Sequence, residues 1–136
     1  MKVLTVKNPW AYLIIFGGKD IENRIRKTNY RGRIAIHCSK NSDKLAYWGY
    51  RGDDPVLKKA FEEVKEKRAE IEKLNGHIIG TVELYNCSYP ALTIIANDSP
   101  WVEMEAAWNW WLKKPEPLAE PVKARGMLGL WDYEGL

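Results

Sequence analysis

Residues 9–24 read PWAYLIIFGGKDIENR, and this stretch decides the local fold. Its first half is apolar, with a proline at the start and two glycines at the end, which predicts a short buried helix that the glycines terminate. From Ile21 onward, polar and apolar residues alternate as in a strand, so Glu22 and Arg24 project from one face. Lys19 lies in the connection just before them. The stretch therefore predicts a helix–strand unit with three charged side chains beside the core.

The predicted helix has an expected cap and an expected apolar face. We expect the side chain of Asn8 to cap its first turn. The residues expected to face inward, at helical spacing, are Trp10, Leu13, Ile14 and Phe16.

The rest of the chain predicts further strands and helices around this unit. Segments with strand-like alternation, or rich in β-branched and aromatic residues, are 1–6, 21–26, 33–39, 77–87, 107–112 and 126–133. Helical segments are 43–50 and 55–75, and Asp54 is expected to cap the second of them. Five to six mostly antiparallel strands with helices inserted around them indicate an α+β fold. We expect a small β-barrel, closed or nearly closed, formed as a single domain over residues 1–136.

Several local features refine this prediction. The strand at 33–39 alternates, so it is expected to be half-buried, and Gly80 predicts a bulge or a close backbone approach in its strand. Ser99 and Pro100 are expected to begin a turn or a helical segment. Prolines at 115, 117 and 121 predict an extended linker with little regular structure.

Composition limits the function classes. The chain has 46% hydrophobic and 29% charged residues, which is typical of a soluble globular protein. Seven tryptophans exceed what a small core needs, so some are expected to line a pocket for a flat ligand. The net charge of +3 attracts polyanions only where the excess clusters on one face. Cys38 and Cys87 have no zinc-site spacing, and free thiols are expected.

The chain shows no signal for export, membrane insertion or cofactor binding. The N-terminal segment MKVLTVKNPW lacks the apolar core of a signal peptide, and no window is long and apolar enough to span a membrane. A cytoplasmic location is therefore expected. No residue pattern predicts a metal ion or another cofactor, and the sequence leaves the oligomeric state open.

Three ordered blocks resemble the ASCH domain, the activating-signal-cointegrator homology domain of the PUA-like superfamily. The first block carries the family pattern G-x-K-x-x-E-x-R, at Gly17, Lys19, Glu22 and Arg24, with Pro-Trp-Ala before it. The later blocks are Tyr30-Arg31-Gly32-Arg33 with Ile36-His37 and Ser39-Lys40, and then Arg125-Gly126-Met127-Leu128-Gly129-Leu130-Trp131. Together they span nearly the whole chain.

This resemblance implies a PUA-like barrel with a cleft beside the first helix. Proteins of this class are generally associated with RNA recognition, and sometimes with binding or processing modified nucleotides. We expect Lys19, Glu22 and Arg24 to form a polar wall at the cleft mouth. Lys19 is suited to a phosphate or a polarised carbonyl, Glu22 to the donors of a base edge, and Arg24 to bidentate contact with a phosphate. The other expected ligand contacts are Trp10, Tyr30, Arg31, His37, Ser39 and Lys40.

Each of these residues also has a purely structural interpretation. Lys19, Glu22 and Arg24 are also compatible with a surface ion-pair cluster worth under ~1 kcal/mol. Trp10 is either a core residue or a stacking platform, and His37 is either a fully hydrogen-bonded barrel histidine or a general acid–base. Tyr30 and Arg31 are expected at a turn tip that projects them outward. About half of the set Trp108, Trp110, Trp111 and Trp131 is expected to fill the barrel, and at least one to cover the cleft.

Two principal function classes follow. The first is a module that binds RNA, single-stranded nucleic acid, or a nucleotide or nucleoside. The second is a hydrolase, because some ASCH-like proteins remove an acetyl group from cytidine and others have been regarded as ribonucleases. In that case Lys19 and Glu22 are the expected catalytic residues, with Glu103 or Glu105 as further proton carriers. A threonine stands in place of Glu22 in the amidohydrolase branch, and a neighbouring carboxylate stabilises the ammonium form of Lys19, so binding is preferred. A protein-interaction module is a weaker third possibility.

Overall fold

The computed structural model describes all 136 residues. It contains six strands, four α-helices and one short 3-10 helix. In chain order the elements are β1 Lys2–Val6, α1 Trp10–Phe16, β2 Ile21–Arg24, β3 Gly32–Cys38, the 3-10 helix Lys44–Trp48, α2 Pro55–Glu66, α3 Arg68–Glu72, β4 His77–Ser88, α4 Pro90–Ala96, β5 Trp108–Lys123 and β6 Leu130–Asp132.

All six strands form one sheet in the order β2-β5-β4-β3-β1-β6. Only β1 and β3 are parallel, and the other four neighbouring pairs are antiparallel. The sheet curls into a half-barrel surrounded by the helices, which confirms the expected α+β small-barrel fold. It remains open because β2 and β6 each pair with a single neighbour.

Helix α1 lies against the main core of the sheet. Ala11, Ile14 and Ile15 pack with apolar side chains of β1, β3, β4 and β5. The helix ends as predicted: the Gly17 N–H donates to the carbonyl of Leu13, and Gly18 follows with a φ of +76°. Lys19 therefore follows immediately after the helix, between α1 and β2.

Two details of the predicted helix–strand unit are wrong. Phe16 is 47% exposed, although Leu13, Ile14 and Ile15 in the same turn of α1 are buried. The predicted strand at 21–26 is also too long, because β2 ends at Arg24 and leaves Ile25 outside the sheet and 83% exposed. The cap residue also differs, since Pro9 occupies the cap position of α1. The Asn8 Oδ1 nevertheless accepts the Tyr12 N–H at 3.0 Å, so Asn8 still serves the first turn.

Strand β3 is buried on both faces, although its alternation predicted a half-buried strand. Ile34 and Ile36 contribute to the main core, whereas Ala35 packs on the opposite face with Ile78 and Trp131. The second face is covered because the chain returns over it in β6 and at the end of β5. Alternation within one strand carries no information about that distant cover.

The predicted helix at 55–75 is interrupted at Lys67. The Asp54 Oδ1 accepts the N–H groups of Val56 and Leu57 at 2.9 and 3.2 Å, which confirms the expected cap. Lys67 then leaves the helical conformation and separates α2 from α3.

Strand β5 contradicts the prediction of an irregular proline-rich linker. It continues through Pro115, Pro117 and Pro121 and pairs with β4 along its length. The pairing register shifts at several points, and the fixed φ of proline is compatible with an extended chain there. One shift lies beside Gly80, as predicted, where an added Cβ would lie 2.8 Å from the carbonyl oxygen of Glu116.

The remaining differences lie near the C-terminal half of the sheet. Helix α4 was not predicted, residues 100 and 101 lie in a turn, and β6 is shorter than the predicted strand at 126–133. Cys38 is buried, Cys87 is half-buried, and both are free. Burial raises the pKa of the Cys38 thiol to about 12. No helix has the length and apolar character that crossing a membrane requires.

Candidate ligand-binding cleft

The three charged residues of the opening stretch form one continuous chain of ion pairs. The Lys19 Nζ lies 3.1 Å from the Glu22 Oε1, and the Arg24 Nη1 lies 3.2 Å from the Glu22 Oε2. The Lys19 ammonium also donates to the carbonyl oxygen of Ile21. Each oxygen of the Glu22 carboxylate is thus paired with its own cation. The three charged side chains lie together, as expected from the sequence.

Lys19 lies below the cleft mouth and not at it. The residue is only 4% exposed, and its Nζ lies 5.8 and 6.0 Å from the ring centroids of Trp10 and Trp101. Two aromatic faces, a carbonyl and a carboxylate together offset the cost of burying its charge. The expectation of a charge at the mouth is wrong for Lys19, and Trp101 is a neighbour that sequence reasoning did not assign to the site.

Glu22 and Arg24 line an open cleft of about 320 Å³, which we call the small cleft. Its lining residues are Thr5, Val6, Lys7, Trp10, Glu22, Arg24 and Ser39. The Trp10 indole is half-buried and is fixed by its Nε1, which donates to the Asp43 Oδ2 at 3.0 Å. The small cleft therefore combines an aromatic side, a carboxylate and a guanidinium.

The Arg24 side chain retains hydrogen-bonding capacity for a ligand. Its guanidinium carbon lies 5.7 Å from the centroid of the Trp110 ring, and the side chain is 29% exposed. A guanidinium has five N–H donors, whereas this one makes a single hydrogen bond, to Glu22. Trp110 is itself fixed by its Nε1, which donates to the carbonyl of Arg26 at 2.9 Å.

Asn23 attaches the segment between α4 and β5 to the site. Its Nδ2 donates to the Trp101 carbonyl at 3.0 Å, and its Oδ1 accepts the Glu103 N–H at 3.1 Å and the Asn109 Nδ2 at 2.8 Å. This attachment brings Glu103 into the electrostatic environment of Lys19.

The pKa of Glu103 is raised above its usual range. Partial removal of its carboxyl from water is the main cause, and the nearby Lys19 ammonium opposes the shift. The Glu22 carboxylate contributes further in the raising direction.

His37 is buried, and both of its ring nitrogens are engaged. The Nε2 lies 2.7 Å from the Ala124 carbonyl, and the Nδ1 lies 3.2 Å from the Thr5 Oγ1. The Ala124 carbonyl can only accept, so the Nε2 carries a proton, and the Thr5 hydroxyl also accepts the Trp131 Nε1–H at 3.0 Å. This pattern engages both ring nitrogens within the protein. It matches the structural interpretation of a fully hydrogen-bonded histidine.

A larger depression of about 740 Å³ adjoins the small cleft, and we call it the basic groove. It is lined by Thr5, His37, Ser39, Lys40, Asn41, Gly76 and residues 123–128. Thr5 and Ser39 also line the small cleft, so the two are continuous. Sequence reasoning did not assign Lys123 and Arg125 to the site, although Arg125 begins the third block of family-like sequence.

Tyr30 and Arg31 lie apart from both depressions. Tyr30 does not project outward as expected, because it is half-buried and packs against the main core. Arg31 is exposed, and its Nη1 donates to the carbonyls of Thr28 and Tyr30 at 2.9 and 2.7 Å. The structure therefore brings together Trp10, Lys19, Glu22 and Arg24, and next to them His37, Ser39 and Lys40.

The tryptophans divide between core and site. Trp110, Trp111 and Trp131 are buried, and Trp108 is half-buried. The Trp110 ring packs against the Arg24 guanidinium, but the aromatic side chain that lines the small cleft is Trp10. No group of three or more histidine, cysteine, aspartate or glutamate side chains is arranged to hold a metal ion.

A known protein family matches most of the chain. The family model described as the ASCH domain matches residues 4–127. No curated protein matches the sequence significantly.

Proposed function

The chain belongs to the ASCH domain family, and on that premise we propose that it binds RNA or another single-stranded nucleic acid through one nucleotide held in the small cleft. The family is consistent with RNA-related binding in general.

The observation that carries the proposal is the arrangement of Glu22 and Arg24 beside Trp10. Glu22 is 6% exposed and is held by two cations, so its carboxylate is fixed in position before a ligand arrives. Arg24 offers unused N–H donors next to it. A fixed acceptor, a set of free donors and an aromatic face are the groups that recognise a nucleotide.

Size and chemistry favour this ligand class. A volume of about 320 Å³ lies within the usual range of roughly 300–1,000 Å³ for small-molecule sites. A base edge with amino or imino N–H groups pairs with the Glu22 carboxylate, and a phosphate pairs with Arg24. Stacking on an aromatic side chain contributes about 1–3 kcal/mol per base, so Trp10 supplies affinity without strict base selection.

Titration of tryptophan fluorescence with a short single-stranded RNA tests the proposal. We expect saturable quenching that weakens with salt, and Arg24→Ala is expected to reduce the affinity at least tenfold. The matched control is Arg51→Ala, which removes the same charge from an exposed loop outside the small cleft and the basic groove. Equal affinities for the two variants, or no quenching at low salt, contradict the proposal.

Hydrolysis of a modified nucleoside is a second candidate, and the environment of Glu103 favours it. A carboxyl whose pKa is raised, close to a buried lysine and a second carboxylate, is suited to general acid–base catalysis. Lys19 is 4% exposed and its ammonium donates to the Ile21 carbonyl and the Glu22 carboxylate, which disfavours Lys19 as the base. Mass spectrometry should detect deacetylated product from acetylcytidine, or cleaved short RNA, and Glu103→Gln should abolish it. Undiminished turnover by that variant excludes Glu103 from the chemistry.

A further inference from the structure

We infer that the ligand is an oligonucleotide of two or more nucleotides, whose backbone runs from the small cleft into the basic groove. The inference rests on the proposed function, because the small cleft is taken to hold the first nucleotide. It adds a second binding region and excludes a free nucleoside as the preferred ligand.

The two depressions are joined at the ends of two parallel strands. Thr5 on β1 pairs with His37 on β3, and the Ser39 N–H donates to the carbonyl of Val6 at 2.9 Å. The carboxyl ends of parallel strands lie at the same edge of a sheet. Lys7 and Lys40, which follow β1 and β3, are therefore placed together where the small cleft meets the basic groove.

The surface that joins the small cleft to the basic groove carries positive charge that no protein carboxylate neutralises. Lys7, Lys40, Lys123 and Arg125 are all exposed, and none of them takes part in any of the seven ion pairs of the protein. No aspartate or glutamate lines the basic groove. Four unpaired cations along one continuous surface match the repeated negative charge of a phosphodiester backbone.

The far side of the basic groove also has a surface for a second base. Met127 is 55% exposed and Leu128 is 99% exposed, although both are apolar and line the groove. Gly126 holds this segment close to the floor, because an added Cβ there would lie 2.9 Å from the His37 ring and 3.0 Å from the Thr5 hydroxyl. Exposed apolar side chains beside cations suit a base that follows a phosphate.

The chemistry thus assigns successive parts of the ligand to successive parts of the surface. The first nucleotide lies against Trp10, Glu22 and Arg24. The next phosphate lies at Ser39 and Lys40, and the second nucleotide lies between Arg125 and Leu128. Each phosphate bound to a cation on a single strand contributes about 0.7 to the slope of log affinity against log salt concentration.

Calorimetric or fluorescence titration with a ribonucleoside 5′-monophosphate and with a tetraribonucleotide tests the inference. The tetranucleotide is expected to bind at least tenfold more tightly. The double variant Lys123→Ala/Arg125→Ala should lose that advantage while it retains the monophosphate affinity. Its salt slope should fall by about 1.4, for two lost phosphate contacts. The control is Lys58→Ala/Lys65→Ala, which removes two exposed cations from α2.

The possible outcomes separate the two proposals. If the monophosphate binds and the tetranucleotide binds no more tightly, the second binding region is refuted and the proposed function stands. The second binding region is also refuted if Lys123→Ala/Arg125→Ala binds the tetranucleotide as tightly as the unaltered protein does. If neither ligand binds at low salt, the inference and the proposed function are both overturned.

Discussion

The ammonium of Lys19 lies 3.1 Å from the carboxylate of Glu22, and both side chains are more than nine-tenths buried. This pair differs from the six other ion pairs, each of which has at least one side chain more than a quarter exposed. Surface pairs contribute little to stability, whereas breaking a buried pair leaves an uncompensated charge. The pair therefore fixes the position of the Glu22 carboxylate that lines the small cleft.

Removing the Glu22 carboxylate should destabilise the fold. Glu22→Ala leaves Lys19 buried without a counter-ion, which is expected to lower the free energy of unfolding by about 3–5 kcal/mol. Urea denaturation measures this change. Glu116→Ala is the control, because the carboxylate of Glu116 pairs with Arg33 on the surface and is expected to contribute under ~1 kcal/mol. A Glu22 variant as stable as the Glu116 variant would show that the pair is not buried.

Removing both charges should cost less than the sum of the single changes. In Lys19→Met/Glu22→Leu neither buried charge remains unpaired, so a substantial part of the stability lost by each single variant should return. Denaturation curves of Lys19→Met, Glu22→Leu and the double variant form a double-mutant cycle that gives the coupling free energy. This coupling free energy is expected to exceed 1 kcal/mol, about the upper limit for exposed pairs. Additive losses in the three variants contradict a direct interaction.

Asn23 should control the order of the segment between α4 and β5. Asn23→Ala removes three hydrogen bonds, to Trp101, Glu103 and Asn109, and leaves buried polar groups without partners. Hydrogen exchange of the amides in residues 99–107 should become faster than in the unaltered protein. Exchange in β3 should be unchanged. Asn29→Ala, at an exposed position, is the control, and equal exchange in the two variants would contradict the role of Asn23.

The stability contribution of Glu103 should depend on pH in the direction set by its raised pKa. A carboxyl with a higher pKa in the folded state binds its proton more tightly there than in the unfolded chain. Its stabilising contribution is therefore present below the unfolded value, near 4.5, and is lost as the pH rises through the folded value. Relative to Glu103→Gln, the unaltered protein should lose stability as the pH rises from about 4.5 through the folded value, and the difference should not change further above it. NMR titration of the carboxyl should give a midpoint above 4.5, and a lower midpoint would contradict the assignment.

The sequence predicted those parts of the site that depend on near neighbours. The helix–strand unit follows from a proline, two glycines and strand alternation within sixteen residues, and it brings Lys19, Glu22 and Arg24 together as expected. The burial of Lys19 could not be predicted in this way. It depends on Trp101, which is distant in sequence and reaches the site through the hydrogen bond from Asn23 to its carbonyl.

Distant pairing also explains the errors in the fold. Three prolines predicted a linker because proline cannot donate a ladder hydrogen bond, yet β4 accommodates β5 through several register shifts, one of them beside Gly80. The exposure of Ile25 and the burial of both faces of β3 have the same cause, because each depends on where segments of the chain begin and end. The basic groove was missed because Lys40 and Lys123 converge only after β1, β3 and β5 are assembled.

The most direct test of a ligand bound in the small cleft is an NMR titration of the tryptophan indole Nε1–H signals with a short single-stranded RNA. The Trp10 Nε1–H donates to Asp43 at the wall of the small cleft, whereas Trp48 is 74% exposed and lies outside both the small cleft and the basic groove. The account predicts that the Trp10 signal shifts in a saturable manner and that the Trp48 signal does not move. A shift of the Trp48 signal with an unchanged Trp10 signal would contradict it.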